Sequence, residues 1–490
     1  MTEKLELDIV RELCRELSKN RINYCHWKSN AAIDRSASGE NDLDLLVSRA
    51  DEQGFSEILS RLGFKLAVEY PKYQLPGVLN YYGYDQETGR LIHVHAHYQL
   101  VLGHDFTKNY HIPIEEPYLA SSSQNGLFRI PAVEFELIIL VIRLILKHST
   151  WDTLLLHQGK LSSSERNELE YLLKRISTNR MYEILDQHLS YIDPGVFNSS
   201  LRTLTSDCPI WDRVRIGQKL LKCLEPNARC PQIVDSGLKL WRRVSFPLEK
   251  RILKKDIRKQ MNSGGLLMAI VGGDGAGKTT VVNEVYKWLS SDFNVHIFHM
   301  GKPKWSLFTV LIRGGLKIGS LLGFYPFMQS EIRYTKDPNL LVFPGYPWLI
   351  REICTARDRF ITYKKARRLA TNGKLVILDR FPLSQIKFMD GPQVARMTAS
   401  IPKTRLVKFL INLELSFYQK IALPDLIILL RADPDIAVQR KIDEVDHEVR
   451  SRSTEVWEID WAETPVIVVN ANNSKEEVLG DVKELLWPRL

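Results

Sequence analysis

The run Met268-Ala-Ile-Val-Gly-Gly-Asp-Gly-Ala-Gly-Lys-Thr-Thr280 decides how the C-terminal part of this chain folds. Gly272 and then Gly277-Lys278-Thr279 stand at the G-x-x-x-x-G-K-[ST] spacing of a phosphate-binding loop. Leu266 to Val271 is apolar, as a strand buried on both faces requires. Past the loop, Val281, Val282, Val285, Trp288 and Leu289 recur at helical spacing. Strand, glycine turn and amphipathic helix follow in the required order. They predict that Gly272, Gly273, Asp274, Gly275, Ala276, Gly277, Lys278, Thr279 and Thr280 wrap around the phosphates of a nucleotide, ATP or GTP. The inward N–H groups and the positive end of the helix supply the attraction. Lys278 is expected to reach the β- and γ-phosphates, and the Thr279 hydroxyl to hold magnesium.

Outward from this loop, short apolar segments alternate with helical patterns. The segments are Leu267–Val271, Val295–His299, Leu375–Leu378, Leu426–Leu430 and Val466–Val469. That alternation predicts an α/β fold over residues 265–490, a doubly wound parallel sheet with ligands at the strand C-termini. The third segment runs into Asp379-Arg380. A carboxylate there can orient magnesium, and the guanidinium offers a planar fork to phosphate. Pro424-Asp425 opens the fourth strand, which leads to a helix bearing Arg440, and Arg450 and Arg452 follow on a polar segment. An arginine-bearing lid would neutralise a transferring phosphoryl group and exclude water.

Taken together, these motifs resemble the thymidylate kinase family of P-loop nucleoside monophosphate kinases. The resemblance rests on G-G-D-G-A-G-K-T-T (272–280), D-R-F-x-x-S (379–384), L-P-D-L with D-P-x-x-A-x-x-R (423–440), the trailing arginines and a last strand into Asn470-Ala471-Asn472. It spans about 225 residues. It implies Mg-ATP as donor, with Lys278, Asp379, Arg380, Arg450 and Arg452 in catalysis. It also implies that Asp274, Ser384 and either Arg357 or Arg359 face the acceptor, that Arg440 binds ATP, and that the loop at Ala471 lies beside the donor adenine. Three features depart from that family. His299-Met-Gly-Lys-Pro-Lys304 replaces an Arg-Glu-Pro-Gly-Gly-type acceptor loop, Met389-Asp-Gly-Pro392 is foreign to the pattern, and the apolar stretch Trp305 to Met328 enlarges the region between. A nucleoside monophosphate is therefore the leading acceptor, with another small phosphorylated molecule or a sugar left open. The contrasting reading is an ATP-binding switch without catalysis.

A second cluster lies near the N-terminus. In Gly39-Glu-Asn-Asp-Leu-Asp-Leu-Leu-Val47, Asp42 and Asp44 share one strand face, a geometry that suits magnesium-dependent nucleotidyl transfer. With the turn Cys25-His-Trp-Lys-Ser29 and the strand Arg90-Leu-Ile-His-Val-His-Ala-His-Tyr98, the region resembles the nucleotidyltransferase superfamily. That implies an α+β domain over 1–150, a helical tail and a triphosphate-gripping turn. Asp42, Asp44 and His93 would be the metal ligands, His93 standing where a third carboxylate is expected. Zinc on the same-face His93, His95 and His97 is the weaker alternative.

Composition sets the frame. At 490 residues, two or three domains are expected, and 44% apolar with 26% charged residues is ordinary for a globular chain. Residues 151–235 read as amphipathic helices, and 236–264 as a basic linker ending in Asn262-Ser263-Gly264-Gly265. The net charge of +9 suits anionic small ligands but is too diffuse to argue for nucleic acid. Six scattered cysteines without a C-x-x-C pair suit a reducing, cytoplasmic setting. Arg313, Lys317 and a Gly-Gly pair interrupt the 305–328 stretch, so a buried helix or a lid beside the active site is expected there rather than a transmembrane span, with a helix lying on the membrane surface as the alternative. A homodimer stays open.

Overall fold

The computed structural model of the chain describes residues 6–149, 161–205, 208–251, 257–325, 343–441 and 445–490. It divides into two compact units, Met1–Asn262 and Ser263–Leu490. Among the described residues no helix is long and apolar enough to cross a membrane.

The first unit is built on a mixed sheet. Its strands are β1 (Tyr24–His26), β2 (Leu43–Val47), β3 (Lys65–Val68), β4 (Val78–Asp85), β5 (Arg90–His97) and β6 (Gln260–Met261), in the order β1-β2-β5-β4-β3-β6. β2 and β5 run parallel, and the other neighbours run antiparallel. The two-residue period explains the faces. Leu43, Leu45 and Val47 of β2, with Ile92, Val94 and Ala96 of β5, pack in one core with Val10, Leu13, Phe55 and Leu59 from the helices Asp8–Lys19 and Glu52–Arg61. The alternate positions, Asp44 on β2 and His93, His95 and His97 on β5, fall on the other face.

A second core surrounds the nearly all-apolar helix Val133–His148. Leu169, Leu185, Phe197 and Leu220, from four later helices, pack into the same cluster as Leu100, Tyr118 and Leu144. The helical region after residue 150 thus shares a core with the N-terminal strands. The basic stretch is largely the helix Gln232–Arg251, and the division between units falls at Asn262-Ser263.

Among its described residues the second unit holds five strands: β7 (Leu266–Gly272), β8 (Val295–His299), β9 (Leu375–Asp379), β10 (Leu426–Arg431) and β11 (Ile467–Asn470). All are parallel, in the order β8-β9-β7-β10-β11. Helices connect them, including Lys278–Ser290 after β7, Tyr346–Thr371 before β9 and Arg405–Tyr418 after it. Val281, Val282, Val285 and Leu289 are the buried face of the first of these, about 1.5–3 kcal/mol each in burial. The chain leaves β7 toward β8 but leaves β9 toward β10 on the opposite side. Ligand crevices in such sheets open at this reversal, at the strand C-termini between β7 and β9.

The apolar stretch from Trp305 differs from expectation. Leu307–Leu321 is a helix, but Trp305, Leu307, Phe308, Leu311, Leu321 and Phe324 are exposed and only Thr309 of the helix is buried. It is not a buried helix; positions 326–328 of the stretch lie outside the described residues.

Candidate functional site

The loop after β7 is shaped by close backbone approach. Gly272, Gly275 and Gly277 have φ of 148°, 78° and 84°. A Cβ on Gly272 would collide with the Leu430 carbonyl oxygen, and one on Gly275 with that of Ala437. Gly277 caps the helix Lys278–Ser290, and Thr279 and Thr280 stand exposed in its first turn.

Asp274, only 1% exposed, is the centre of a charge cluster. Arg380 lies 3.0 Å from its carboxylate, Lys278 3.7 Å and Lys441 4.0 Å, and Arg452 closes on its other oxygen. Burial opposes ionisation of Asp274, but Lys278, Arg380, Arg452 and Lys441 outweigh it and hold the carboxyl below its ordinary value. Burial, then the Arg380 guanidinium, pushes Lys278 down to about 8 against the pull of Asp274, Asp390 and Asp379. Lys278 also donates to the Gly273 carbonyl at 2.5 Å. Four cations around one carboxylate make a ready polyanion site, in which Asp274 supplies the counter-charge.

β9 delivers the second half of the site. Asp379 lies opposite Ile270 of β7 and His299 of β8. It is buried, and its Oδ1 has no hydrogen-bond partner among the described residues. His299 Nε2 is 3.6 Å from its other oxygen, and His299 Nδ1 accepts the Lys302 N–H at 3.0 Å. Burial lowers the His299 pKa against the attraction of Asp379. Arg380 has φ of 70°, a strained left-handed conformation for an arginine, and it reaches both Asp274 and Asp390, the latter at 3.5 Å.

The helix Asp446–Glu458 covers the loop. Its Ser453 Oγ donates to the Asp274 carbonyl at 2.7 Å, and Arg452 is braced by Glu448 at 3.0 Å. Arg450 turns outward to Asp435 at 2.5 Å, away from Asp274. Arg440, expected among the ATP-binding residues, donates to the carbonyl of Ala471 at 2.7 Å.

The expected acceptor residues divide. Arg359 is buried and donates to the carbonyls of Met300 and Gly301, to Tyr418 and to Asp390. Arg357 donates to Ser306 at 2.7 Å and lies over the Phe308 ring. Exposed Ser384 bonds its neighbour Gln385. Arg359 is thus committed to holding the 300–301 backbone, and the structure does not bring Arg357 or Ser384 to Asp274.

Sequence reasoning missed Asp390, Lys441 and Ser453. Asp390 links Arg359 to Arg380, and thereby to Asp274. Its segment is pinned from three sides: Glu455 accepts the Lys387 and Phe388 N–H groups, Glu414 accepts those of Gln393 and Val394, and Tyr418 donates to Gly391. The signal available was Met389-Asp-Gly-Pro392 itself, the stretch that fits no part of the family pattern.

In the first unit, Asp42 and Asp44 do not converge. Exposed Asp42 meets His93 at 3.0 Å, whereas Asp44 meets Lys28 at 2.8 Å, His95 at 3.2 Å and His97 at 3.8 Å. The register explains this, since Asp44 lies opposite His95. Burial works against the Asp44 charge, but Lys28 and bonds from His95 and His97 hold its carboxyl well below the ordinary range. Burial pushes His97 down to about 3. The turn proposed to grip a triphosphate is already satisfied: Ser29 donates its N–H to Glu168 at 3.0 Å, and Asn30 to Glu136 at 3.1 Å.

No protein-family model matches the chain. The C-terminal part is similar to the uncharacterized ATP-binding protein YghR of Escherichia coli strain K12. The two are 28% identical over 222 residues, which cover 44% of this chain and 83% of that protein. It is also similar to a thymidylate kinase of Legionella pneumophila strain Paris, 27% identical over 232 residues, covering 45% and 94%. Among solved structures, deoxyadenosine kinase from M. mycoides with bound dATP matches 45% of this chain and 98% of that one, at 17% identity and a TM-score of 0.28. The C-terminal 45% of the chain thus resembles, at a distance, ATP-binding proteins and kinases of the thymidylate type.

Proposed function

We propose that the C-terminal unit transfers the γ-phosphoryl group of ATP to a small phosphorylated acceptor, a nucleoside monophosphate first among them. The observation that carries this reading is the gathering of Lys278, Arg380, Arg452 and Lys441 around Asp274 at the mouth of the phosphate loop. Phosphoryl transfer is chiefly a matter of positioning and of charge stabilisation, and this cluster supplies both. Lys278 and the loop N–H groups would hold the donor phosphates. Arg380 and Arg452 would exchange Asp274 for the equatorial oxygens of the moving group, and the freed carboxylate would orient the acceptor. An acceptor oxygen bonds to phosphorus as the bridge to the β-phosphate breaks, and ADP leaves.

The residues fit a magnesium ion. Buried Asp379 Oδ1 has no hydrogen-bond partner among the described residues, and Thr279 is exposed in the first helical turn. Those two would hold it, and when bound it supplies charge neutralisation on the phosphate oxygens. Ala471 would lie beside the adenine of ATP, and its carbonyl accepts a hydrogen bond from Arg440. For the N-terminal unit the proposal is narrower: a nucleotidyltransferase-like fold whose divided carboxylates and satisfied Ser29 turn do not support nucleotidyl transfer.

The test is ADP release from Mg-ATP against a panel of nucleoside monophosphates and phosphorylated sugars, with Lys278→Ala as control. Lysine-dependent release that one acceptor stimulates supports the kinase. Slow release indifferent to every acceptor would favour an ATP-driven switch instead.

A further inference from the structure

The structure assigns a second site that is independent of the phosphoryl-transfer reading. We propose that Asp44, His95 and His97 of the first unit bind one divalent transition-metal ion of the zinc class, leaving a coordination position open to water.

Among the described residues this is the one grouping of three metal-capable side chains whose ligand atoms converge. Asp44 Oδ1, His95 Nδ1 and His97 Nε2 form a triangle with sides of 3.2, 3.3 and 3.8 Å. Ligands bonded to zinc at about 2.0–2.1 Å in tetrahedral geometry stand about 3.3–3.4 Å apart, close to these spacings. Two imidazoles with one carboxylate is a borderline-soft donor set, unlike the all-oxygen sets that magnesium takes.

Hydrogen bonding alone does not settle these rings. If His95 Nδ1 and His97 Nε2 both carry protons and give them to Asp44, two N–H groups crowd each other across 3.3 Å; if His97 Nε2 is bare instead, His97 must protonate Nδ1. That nitrogen is buried, with no hydrogen-bond partner among the described residues. If His97 Nε2 carries the proton and gives it to His95, the bare His95 Nδ1 then faces the Asp44 carboxylate. A cation at the centre of the triangle removes the conflict, because all three atoms can then present lone pairs. Burial keeps both imidazoles in the neutral form that ligation needs.

Position in the fold favours a built site. Asp44 and His95 are register partners on the parallel pair β2 and β5, so rigid backbone fixes the carboxylate against the imidazole. His97 is held edge-on to Trp27, with ring centres 5.0 Å apart. Lys28, 2.8 Å from the same carboxylate oxygen, competes for it, and its ammonium also lies 5.0 Å from the Trp27 ring centre. Removing that ammonium should therefore strengthen metal binding, an outcome no purely structural role for Asp44 would produce.

The experiment is cobalt(II) titration of the full-length, chelator-treated chain, read by its visible absorption, with zinc content measured after equilibrium dialysis. One equivalent per chain is expected, with the intense spectrum of a low-symmetry tetrahedral or five-coordinate site that zinc displaces and excess magnesium does not. His95→Asn and His97→Asn should abolish the band, His93→Ala and Lys278→Ala should keep it, and Lys28→Met should tighten cobalt binding severalfold. Far-UV circular dichroism confirms folding of each variant, and the wild-type spectrum stands without them. The assignment is overturned if the wild type gives only the weak spectrum of aqueous cobalt. It is equally overturned if the band survives His97→Asn in the folded protein, or is lost with His93→Ala.

Discussion

Gly275 and Gly277 occupy the same left-handed region, with φ of 78° and 84°, yet they should respond differently to one added methyl group. Around Gly277 a Cβ meets nothing within 4 Å, so Gly277→Ala carries only the backbone cost of about 1–2 kcal/mol. At Gly275 the Cβ would also strike the Ala437 carbonyl, so Gly275→Ala should lower the unfolding free energy by clearly more. Denaturant unfolding of the pair measures the difference, and equal losses would refute a loop shaped by close backbone approach. The motif that names these glycines was legible because it is contiguous and each position has a local reason. Asp390, Lys441 and Ser453 were not, since each reaches Asp274 or Arg380 only through the folded path of a distant segment. The same limit explains the N-terminal histidines. Alternation along β5 puts His93, His95 and His97 on one face, but which of them faces Asp44 depends on the register of β2 against β5, which sequence does not encode locally.

Among elements, the five parallel strands of the second unit were readable within a residue or two, because buried strands leave continuous apolar runs. The helix Leu307–Leu321 was not readable in that way. Its sequence is apolar, yet most of its large side chains are exposed among the described residues. The segment from Lys387 to Val394 illustrates a different kind of order, imposed by buried carboxylates on backbone N–H groups. Burial pushes Glu414 up to about 7, against the pull of the Gln393 and Val394 N–H groups. The unfolded chain ionises this group near pH 4.5 while the folded one keeps its proton. Its contribution to stability is therefore greatest below that pH, falls as pH rises toward 7, and levels off above. The fall should amount to a few kcal/mol at most, since each pH unit between the two ionisations is worth about 1.4 kcal/mol. Glu414→Gln should flatten that part of the profile, measured by denaturant unfolding at about pH 5 and about pH 7.5, on either side of the fall. An unchanged slope would show that Glu414 titrates normally.

At the scale of the whole molecule, two units with separate cores should unfold in two transitions. ATP should raise only the C-terminal one, by about 2.7 kcal/mol at a hundredfold excess over its Kd. Calorimetry with and without ATP checks this; a single transition, or a shift of both, would contradict it. The division falls within Asn262-Ser263-Gly264-Gly265, but the attachment of the helices after residue 150 to the N-terminal core was not legible, because amphipathic patterns do not say which surface covers them. Phosphoryl transfer by the cluster around Asp274 is tested most directly by following γ-labelled phosphate. The full-length chain is incubated with labelled Mg-ATP and each nucleoside monophosphate, and the products are separated by chromatography. The label is expected to move to one acceptor, and Lys278→Ala to slow this on the order of 10²–10³-fold. Label appearing only as inorganic phosphate, or transfer undiminished in Lys278→Ala, would contradict a phosphoryl-transfer role for the cluster.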